Sequence, residues 1–223
     1  MQSCTPSAES FFFDLDGTLV DSLPGISFSV QQALRSVGRD MDGQLEVLIG
    51  PPIQDILRRL LGNGAGSQLD RVEAEFRKSY DSEGWKRSYL YPGVQSTLKQ
   101  LKADGTRLFV FTNKPAQVTK AILNATNVAS HFDAVLTRDS RKPPFENKGL
   151  MLTHLVEEFG VDRQSSIVIG DSPEDFHAAI AAEIPFCFAT YGYGRLHDHQ
   201  SSACAWQIDC FNDVLSITNE ECR

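Results

Sequence analysis

Short apolar segments alternate with helical patterns over most of the chain, and this alternation limits the folds that the chain can adopt. The apolar segments are FFF (11–13), RLFVF (107–111), DAVL (133–136), SIVIG (166–170) and PFCFA (185–189). Unbroken apolar runs of this length are typical of strands covered on both faces. Residues 94–103 and 147–159 instead repeat their apolar side chains at helical spacing. The repetition of strand and helix predicts an α/β fold, with a Rossmann-like parallel sheet and helices on both faces.

One long stretch, residues 20–91, shows helical patterns only. Apolar side chains recur there every three or four positions. They form three groups: Ile26, Val30, Ala33, Leu34 and Val37; Ile53, Ile56, Leu57, Leu60 and Leu61; and Leu69, Val72 and Phe76. The spacing predicts an all-helical domain inserted directly after the first strand. The α/β domain would then consist of residues 1–19 and 92–223.

Composition and charge exclude several classes of partner. The chain has 223 residues, of which 41% are hydrophobic and 22% charged, enough for one good core and a smaller second domain. No apolar run approaches the ~18 residues of a membrane span, and residues 1–10 lack the basic start of a secretory signal. We therefore expect a cytoplasmic protein. The net charge of −8 argues against nucleic acid or a membrane as partner, because either would require a basic face. The sequence leaves open whether the chain is a monomer or a homodimer.

The cysteines indicate neither a disulfide framework nor a zinc site. There are five of them, which is an odd number, and none stands in a CxxC pair. We expect reduced thiols, with Cys187 as a small residue of the core.

Polar residues follow three of the predicted strands at the point where each strand ends. DLDGT (14–18) follows the first strand, TNK (112–114) the second and GDSPED (170–175) the fourth. In a parallel sheet the ligand site lies beyond the carboxyl ends of the strands, so we expect these residues to meet at one edge. Each motif taken singly is also typical of a turn or of a helix start.

Three carboxylates at this edge predict a cation. Asp14, Asp16 and Asp171 would repel one another if they met without positive charge. A hydrated site with a few carboxylate oxygens suits a hard divalent ion. We therefore expect Mg²⁺ as the cofactor.

Taken in order, the motifs DLDGTLVDS, FTNK, a downstream lysine and IGDSPED resemble the haloacid dehalogenase-like hydrolase superfamily. The segment YPGV (91–94), where the chain returns to the α/β domain, is similar to the phosphoglycolate phosphatase-like branch, which has a helical cap after the first strand. The resemblance covers nearly the whole chain, and its first motif is very specific. It implies a phosphatase that works through an aspartyl-phosphate intermediate.

The resemblance also implies roles for the acidic residues. Asp14 would be the nucleophile, and Asp16 the general acid and base. The metal ligands would be Asp14, the backbone carbonyl of Asp16 and Asp171. Asp175, one helical turn after Asp171, would support the metal or its waters.

A second group of residues would bind the transferred phosphoryl group. The family uses a hydroxyl and an N–H group in its second motif, and the backbone of the turn after the first strand can also meet phosphate oxygens. The matching positions here are Leu15, Asp16, Thr112 and Asn113.

The active-site lysine departs from the commonest pattern of the family, since the chain offers both Lys142 and Lys148. Lys148 precedes Val161 by 13 residues, as in relatives whose lysine opens this helix directly. Lys142 lies in a loop and is followed directly by two prolines. We therefore assign the catalytic and phosphate-binding role to Lys148 and keep Lys142 as the alternative.

Simple hydrolysis of a small phosphorylated metabolite, similar to phosphoglycolate, is the function that we expect. A dehalogenase has no use for the acid/base residue at Asp16, and a phosphonatase would need a Schiff-base lysine that the segment DSLPGISFSV (21–30) lacks. A sugar phosphomutase shares every motif of the core and remains the alternative. A relative that binds without catalysis is a further alternative, although every motif position keeps a reactive residue type.

Overall fold

A computed structural model describes residues 8–40, 53–62 and 65–217. It contains eight strands over these ranges: β1 (Ser10–Phe13), β2 (Val20–Asp21), β3 (Tyr89–Leu90), β4 (Arg107–Thr112), β5 (Ala134–Thr137), β6 (Ser166–Gly170), β7 (Phe186–Ala189) and β8 (Trp206–Ile208). Six of them form one parallel sheet in the order β5-β4-β1-β6-β7-β8, while β2 and β3 pair with each other. The predicted α/β fold is confirmed.

The sheet has one strand more than the sequence predicts. Strand β8 pairs with β7 at the edge of the sheet, where Cys187 lies beside Trp206. Of its three residues only Ile208 is buried. So short and half-exposed a strand has no apolar run, and for this reason the sequence pattern does not reveal it.

The three phenylalanines of β1 explain why this strand lies at the centre. All three side chains are fully buried, and the strand pairs with β4 on one side and with β6 on the other. Successive side chains of a strand point to opposite faces. The ring of Phe12 stacks on Phe109 with 4.8 Å between centroids, and that of Phe13 packs against Phe211 at 5.5 Å. Both faces of the strand are therefore covered.

The helices in the described ranges are α1 (Leu23–Arg35), α2 (Ile53–Leu61), α3 (Ala65–Ser82), α4 (Val94–Ala103), α5 (Ala116–Ala125), α6 (Lys148–Phe159), α7 (Pro173–Ala182), α8 (Asp198–Ser201) and α9 (Val214–Ile217). Helices α6 and α7 belong to the hydrophobic cluster around Phe12. Helix α4 contacts α9 and the turn at Phe211, on the face of Phe13. None of the helices described is both long and apolar enough to cross a membrane.

The chain divides into two compact units, one of residues Asp21–Tyr89 and one of Met1–Val20 with Leu90–Arg223. In the described part of the first unit, all the long elements are helices, as the apolar spacing predicts. Its α1 and α3 pack together and bury Val30, Leu34 and Val72. An added Cβ on Gly25 would overlap the backbone of Gly84, so these two glycines allow a close approach inside the unit.

Candidate active site

The polar strand ends meet at the carboxyl edge of the sheet. Phe13, the last residue of β1, lies beside Val110 of β4 and Ile169 of β6. The Asp14 N–H donates to the carbonyl of Ile169 at 3.0 Å. This register brings the residues after β1, β4 and β6 to neighbouring positions, because parallel strands end at the same edge.

Three of the acids form a buried cluster at this edge. Carboxylate oxygens of Asp14, Asp171 and Asp175 all lie within 4.8 Å of one another. The three residues are exposed by 4% or less. Such a group of oxygen ligands is what a hard divalent cation requires.

Lys148 lies inside this cluster. Its Nζ is 2.7 Å from Asp14 Oδ1 and 2.6 Å from Asp175 Oδ1. Lys148 opens α6, and the side chain of Asn147 caps that helix by accepting the N–H of Leu150 at 2.9 Å. The cap fixes the first turn and so the position of the lysine. Lys142, by contrast, is exposed.

The electrostatics of the cluster show too little positive charge. Burial raises the pKa of Asp14 well above its usual value, Lys148 opposes the rise, and the other two carboxylates add to it. Burial and then Asp175 raise the pKa of Asp171 to about 7, against the N–H groups of Gly194 and Tyr193 and the charge of Lys148. Burial lowers the pKa of Lys148, but Asp14 and then Asp175 outweigh it and raise the pKa overall. When all three carboxylates are ionised, they face a single ammonium group, and two negative charges are then left in excess.

Asp175 is fixed by the start of α7. Its Oδ2 accepts the N–H of Ser172 at 3.0 Å, and the Ser172 hydroxyl caps the helix in return. Its Oδ1 accepts Lys148. Because both oxygens are engaged, Asp175 orients Lys148 as well as adding charge to the cluster.

Asp171 is held by backbone groups of the loop after β7. Its Oδ2 accepts the N–H of Tyr193 at 2.8 Å and that of Gly194 at 3.0 Å. An added Cβ on Gly17 or Gly192 would overlap the Asp171 carboxylate. The segment YGYGR (191–195) therefore encloses one of the acids.

The Asp16 carboxylate is not part of the acid cluster and contacts a second lysine, Lys114. Its two carboxylate oxygens lie 2.7 and 3.0 Å from Lys114 Nζ. The side chain of Lys114 is 4% exposed and that of Asp16 is 21% exposed. Asp14 and Asp16, two residues apart, are thus each paired with a lysine of their own.

Thr112, the last residue of β4, and Asn113, which follows it, both lie close to the site. Thr112 is buried, and its hydroxyl oxygen accepts the N–H of Lys114 at 3.2 Å. The Asn113 side chain donates to Glu174 at 2.6 Å. Burial, against the charge of Lys148, raises the pKa of Glu174. The Leu15 side chain is fully buried, so only its backbone could contact a ligand.

Four partners at the site carry no role in the sequence patterns: the side chains of Lys114 and Glu174 and the N–H groups of Tyr193 and Gly194. Lys114 stands in the TNK motif and Glu174 in GDSPED, so their place next to assigned residues was a usable signal. The backbone donors leave no mark in the sequence except the glycines around them.

Comparisons with known proteins show the family to which the chain belongs. The model of the family described as haloacid dehalogenase-like hydrolase matches residues 11–189. A phosphoglycolate phosphatase of Nitrosococcus oceani is 30% identical over 219 residues, which cover 95% of this chain and 97% of the relative. One of Vibrio vulnificus is 33% identical over 216 residues, with 92% and 93% covered. The crystal structure of a predicted phosphoglycolate phosphatase from Haemophilus somnus has a TM-score of 0.84 at 31% identity, with 94% and 97% covered.

Proposed function

The chain belongs to the haloacid dehalogenase-like hydrolase family, in its phosphoglycolate phosphatase-like branch, and is a phosphatase of that family; we propose that it hydrolyses a small phosphomonoester with Mg²⁺ through an aspartyl-phosphate. The observation that carries this proposal is the buried group of Asp14, Lys148, Asp171 and Asp175 at the carboxyl end of the sheet. One lysine compensates one of the three carboxylates, and the two negative charges that remain when all three are ionised would be compensated by a divalent cation.

Asp14 is the nucleophile of the proposal. A carboxylate attacks phosphorus poorly unless the charge of the phosphate is offset. Lys148 holds Oδ1 of Asp14 at 2.7 Å, so we assign the attack to Oδ2. The P–O bond to the leaving group breaks as the bond from Asp14 to phosphorus forms.

Asp16 is the general acid and base. Its proton goes to the leaving oxygen in the first step. In the second step the Asp16 carboxylate takes a proton from water, whose oxygen bonds to phosphorus while the bond to Asp14 breaks. The sequence of steps releases phosphate and restores both aspartates.

The charge of the buried acids supports a metal at this place. The two uncompensated negative charges and the oxygen ligands fit a hard divalent cation. Asp14, Asp171 and the backbone carbonyl of Asp16 would hold Mg²⁺, which supplies positive charge that lets a phosphate approach a carboxylate. Asp175 would position Lys148 and the waters of the metal.

The phosphoryl group would be bound by the ends of β1 and β4. The Thr112 hydroxyl and the Asn113 N–H group are the proposed donors, together with Lys148 and the backbone N–H groups of Leu15 and Asp16. The hydrogen bond from the Asn113 side chain to Glu174 keeps that side chain in one orientation.

Two parts of the proposal concern the substrate. Three helices of the insertion, α1 to α3, suit a cap that selects the leaving group and excludes water. The relatives named above are phosphoglycolate phosphatases, and phosphoglycolate is therefore the first compound to test.

We place the reaction in the cytoplasm.

A substrate panel tests the proposal. Purified protein with Mg²⁺ is incubated with phosphoglycolate, sugar phosphates and p-nitrophenyl phosphate, and released phosphate is measured for the wild type and for Asp14→Asn. We expect turnover that needs both Mg²⁺ and Asp14. No release from any compound overturns the proposal, and conversion of sugar phosphates into their isomers without net release favours a phosphomutase.

A further inference from the structure

Lys114 contacts the acid/base residue of the proposed reaction through both of its carboxylate oxygens. The Nζ of Lys114 lies 2.7 Å from Oδ1 and 3.0 Å from Oδ2 of Asp16. We propose that Lys114 is a positioning residue, whose ammonium group fixes the direction in which Asp16 presents its carboxyl group to the leaving oxygen and to water. The inference rests on the proposed function.

The backbone of Asp16 is fixed, but its side chain needs an anchor. Asp16 lies in a tight turn, where the N–H of Gly17 donates to the carbonyl of Val20 at 2.9 Å. The side chain is 21% exposed, so without a partner it would rotate among several staggered positions. Two short contacts with one ammonium group select a single position.

Lys114 is itself held firmly enough to serve as this anchor. Its N–H donates to the Thr112 hydroxyl at 3.2 Å, and its carbonyl accepts the Thr119 hydroxyl at 3.4 Å. The residue stands between the end of β4 and the start of α5. Its side chain is 4% exposed, so the ammonium group has little freedom to leave.

The same ammonium group can serve both steps of the reaction. When Asp16 carries the proton, one oxygen accepts from Lys114 while the other directs its proton to the leaving oxygen. When Asp16 is the base, Lys114 still holds one oxygen and the other accepts the proton of water. The proton therefore moves through a carboxyl group of fixed direction in either step.

Two substrates with different leaving groups distinguish a positioning role of Lys114 from a general loss of structure. An alkyl phosphate such as phosphoglycolate needs a proton on its leaving oxygen, whereas p-nitrophenolate leaves without one. The value of kcat/KM reports the steps up to loss of the leaving group. A misplaced Asp16 should thus lower kcat/KM for phosphoglycolate and leave kcat/KM for p-nitrophenyl phosphate nearly unchanged. The kcat for p-nitrophenyl phosphate should fall, because the attack of water on the aspartyl-phosphate becomes slower.

The test compares Lys114→Met with Lys114→Arg and with the control Lys102→Met. Lys102 forms an ion pair with Asp133 at 2.9 Å in the same unit, but the side chains of both residues are about one third exposed. For Lys114→Met we expect kcat/KM for phosphoglycolate to fall about 10- to 100-fold, and that for p-nitrophenyl phosphate to fall less than about threefold. The arginine variant, which can still donate two N–H groups, should recover most of the loss, and Lys102→Met should behave as the wild type.

Each outcome has one meaning. Equal losses of kcat/KM on both substrates, unchanged kinetics, a rise in KM alone, or an arginine variant as slow as the methionine variant overturns the positioning role. If Lys114→Met does not fold by circular dichroism, Lys114→Gln takes its place and is judged by the same ratio. A wild type that releases phosphate from neither these two substrates nor any other compound of the panel refutes the proposed function instead, and so the two failures are distinguishable.

Discussion

Lys148 Nζ lies 2.7 Å from Asp14 Oδ1, although 134 positions separate the two residues in the chain. Both side chains are about 5% exposed. The contact arises because Asp14 follows the central strand β1 and Lys148 begins the capped helix α6. The contact joins the proposed nucleophile to the ammonium group that would compensate its negative charge.

Replacing Lys148 should abolish turnover and weaken the fold. Lys148→Met leaves Asp14 and Asp175 buried without their shared partner, and breaking a buried ion pair typically costs about 3–5 kcal/mol. We expect phosphatase turnover to fall at least about 100-fold and the midpoint of urea unfolding to move to lower concentration. The exposed Lys142 gives the control, since Lys142→Ala should leave both quantities near those of the wild type. The assignment is wrong if Lys142→Ala abolishes turnover while Lys148→Ala does not.

The two aspartates after β1 should fail at different steps. Asp14→Asn removes the nucleophile, so no covalent phosphate should form on the protein from radiolabelled p-nitrophenyl phosphate. Asp16→Asn keeps the nucleophile but loses the base, and we expect aspartyl-phosphate to accumulate and to decay about 100-fold or more slower than in the wild type. Acid quenching followed by measurement of protein-bound label checks both. Equal labelling of the two variants would contradict the assignment of roles.

The meeting of the polar strand ends at one edge could be predicted from the sequence, because residues next to each apolar run mark the strand end and parallel strands end at the same edge of a sheet. Apolar runs locate β1, β4 and β6, and the parallel sheet then brings the residues after them to one edge. Lys148 required an additional argument from spacing, since two lysines were available. The contact of Lys114 with Asp16 spans 98 positions, and no periodicity links its partners. The contacts of Asp171 with Tyr193 and Gly194 use backbone N–H groups, which every residue but proline possesses, so apart from the nearby glycines nothing in the sequence marks them.

Magnesium should stabilise the folded protein through Asp171. The cation would compensate the excess negative charge of the acid cluster, and a ligand that binds only the folded state at a hundred times its Kd adds about 2.7 kcal/mol. We expect Tm to rise with added Mg²⁺, and EDTA to abolish both the rise and the turnover. Asp171→Asn should remove most of the response to Mg²⁺. The control Asp133→Asn changes an acid of the same unit that pairs with Lys102, and its response should stay intact; a full response in Asp171→Asn would contradict the site.

Gly17 and Gly105 allow backbone strain to be separated from crowding of the Asp171 carboxylate. Both adopt a left-handed conformation, with φ of 87° and 83°. A Cβ added to Gly105 meets nothing within 4 Å, whereas one added to Gly17 would overlap the Asp171 carboxylate. Substitution by alanine at either position should cost about 1 kcal/mol of stability for the strained backbone. Only Gly17→Ala should also displace Asp171, so we expect it alone to weaken the apparent affinity for Mg²⁺, by about tenfold or more. Mg²⁺ titrations followed by thermal unfolding of the two variants measure both effects, and equal Mg²⁺ affinities would show that the carboxylate tolerates the added methyl group.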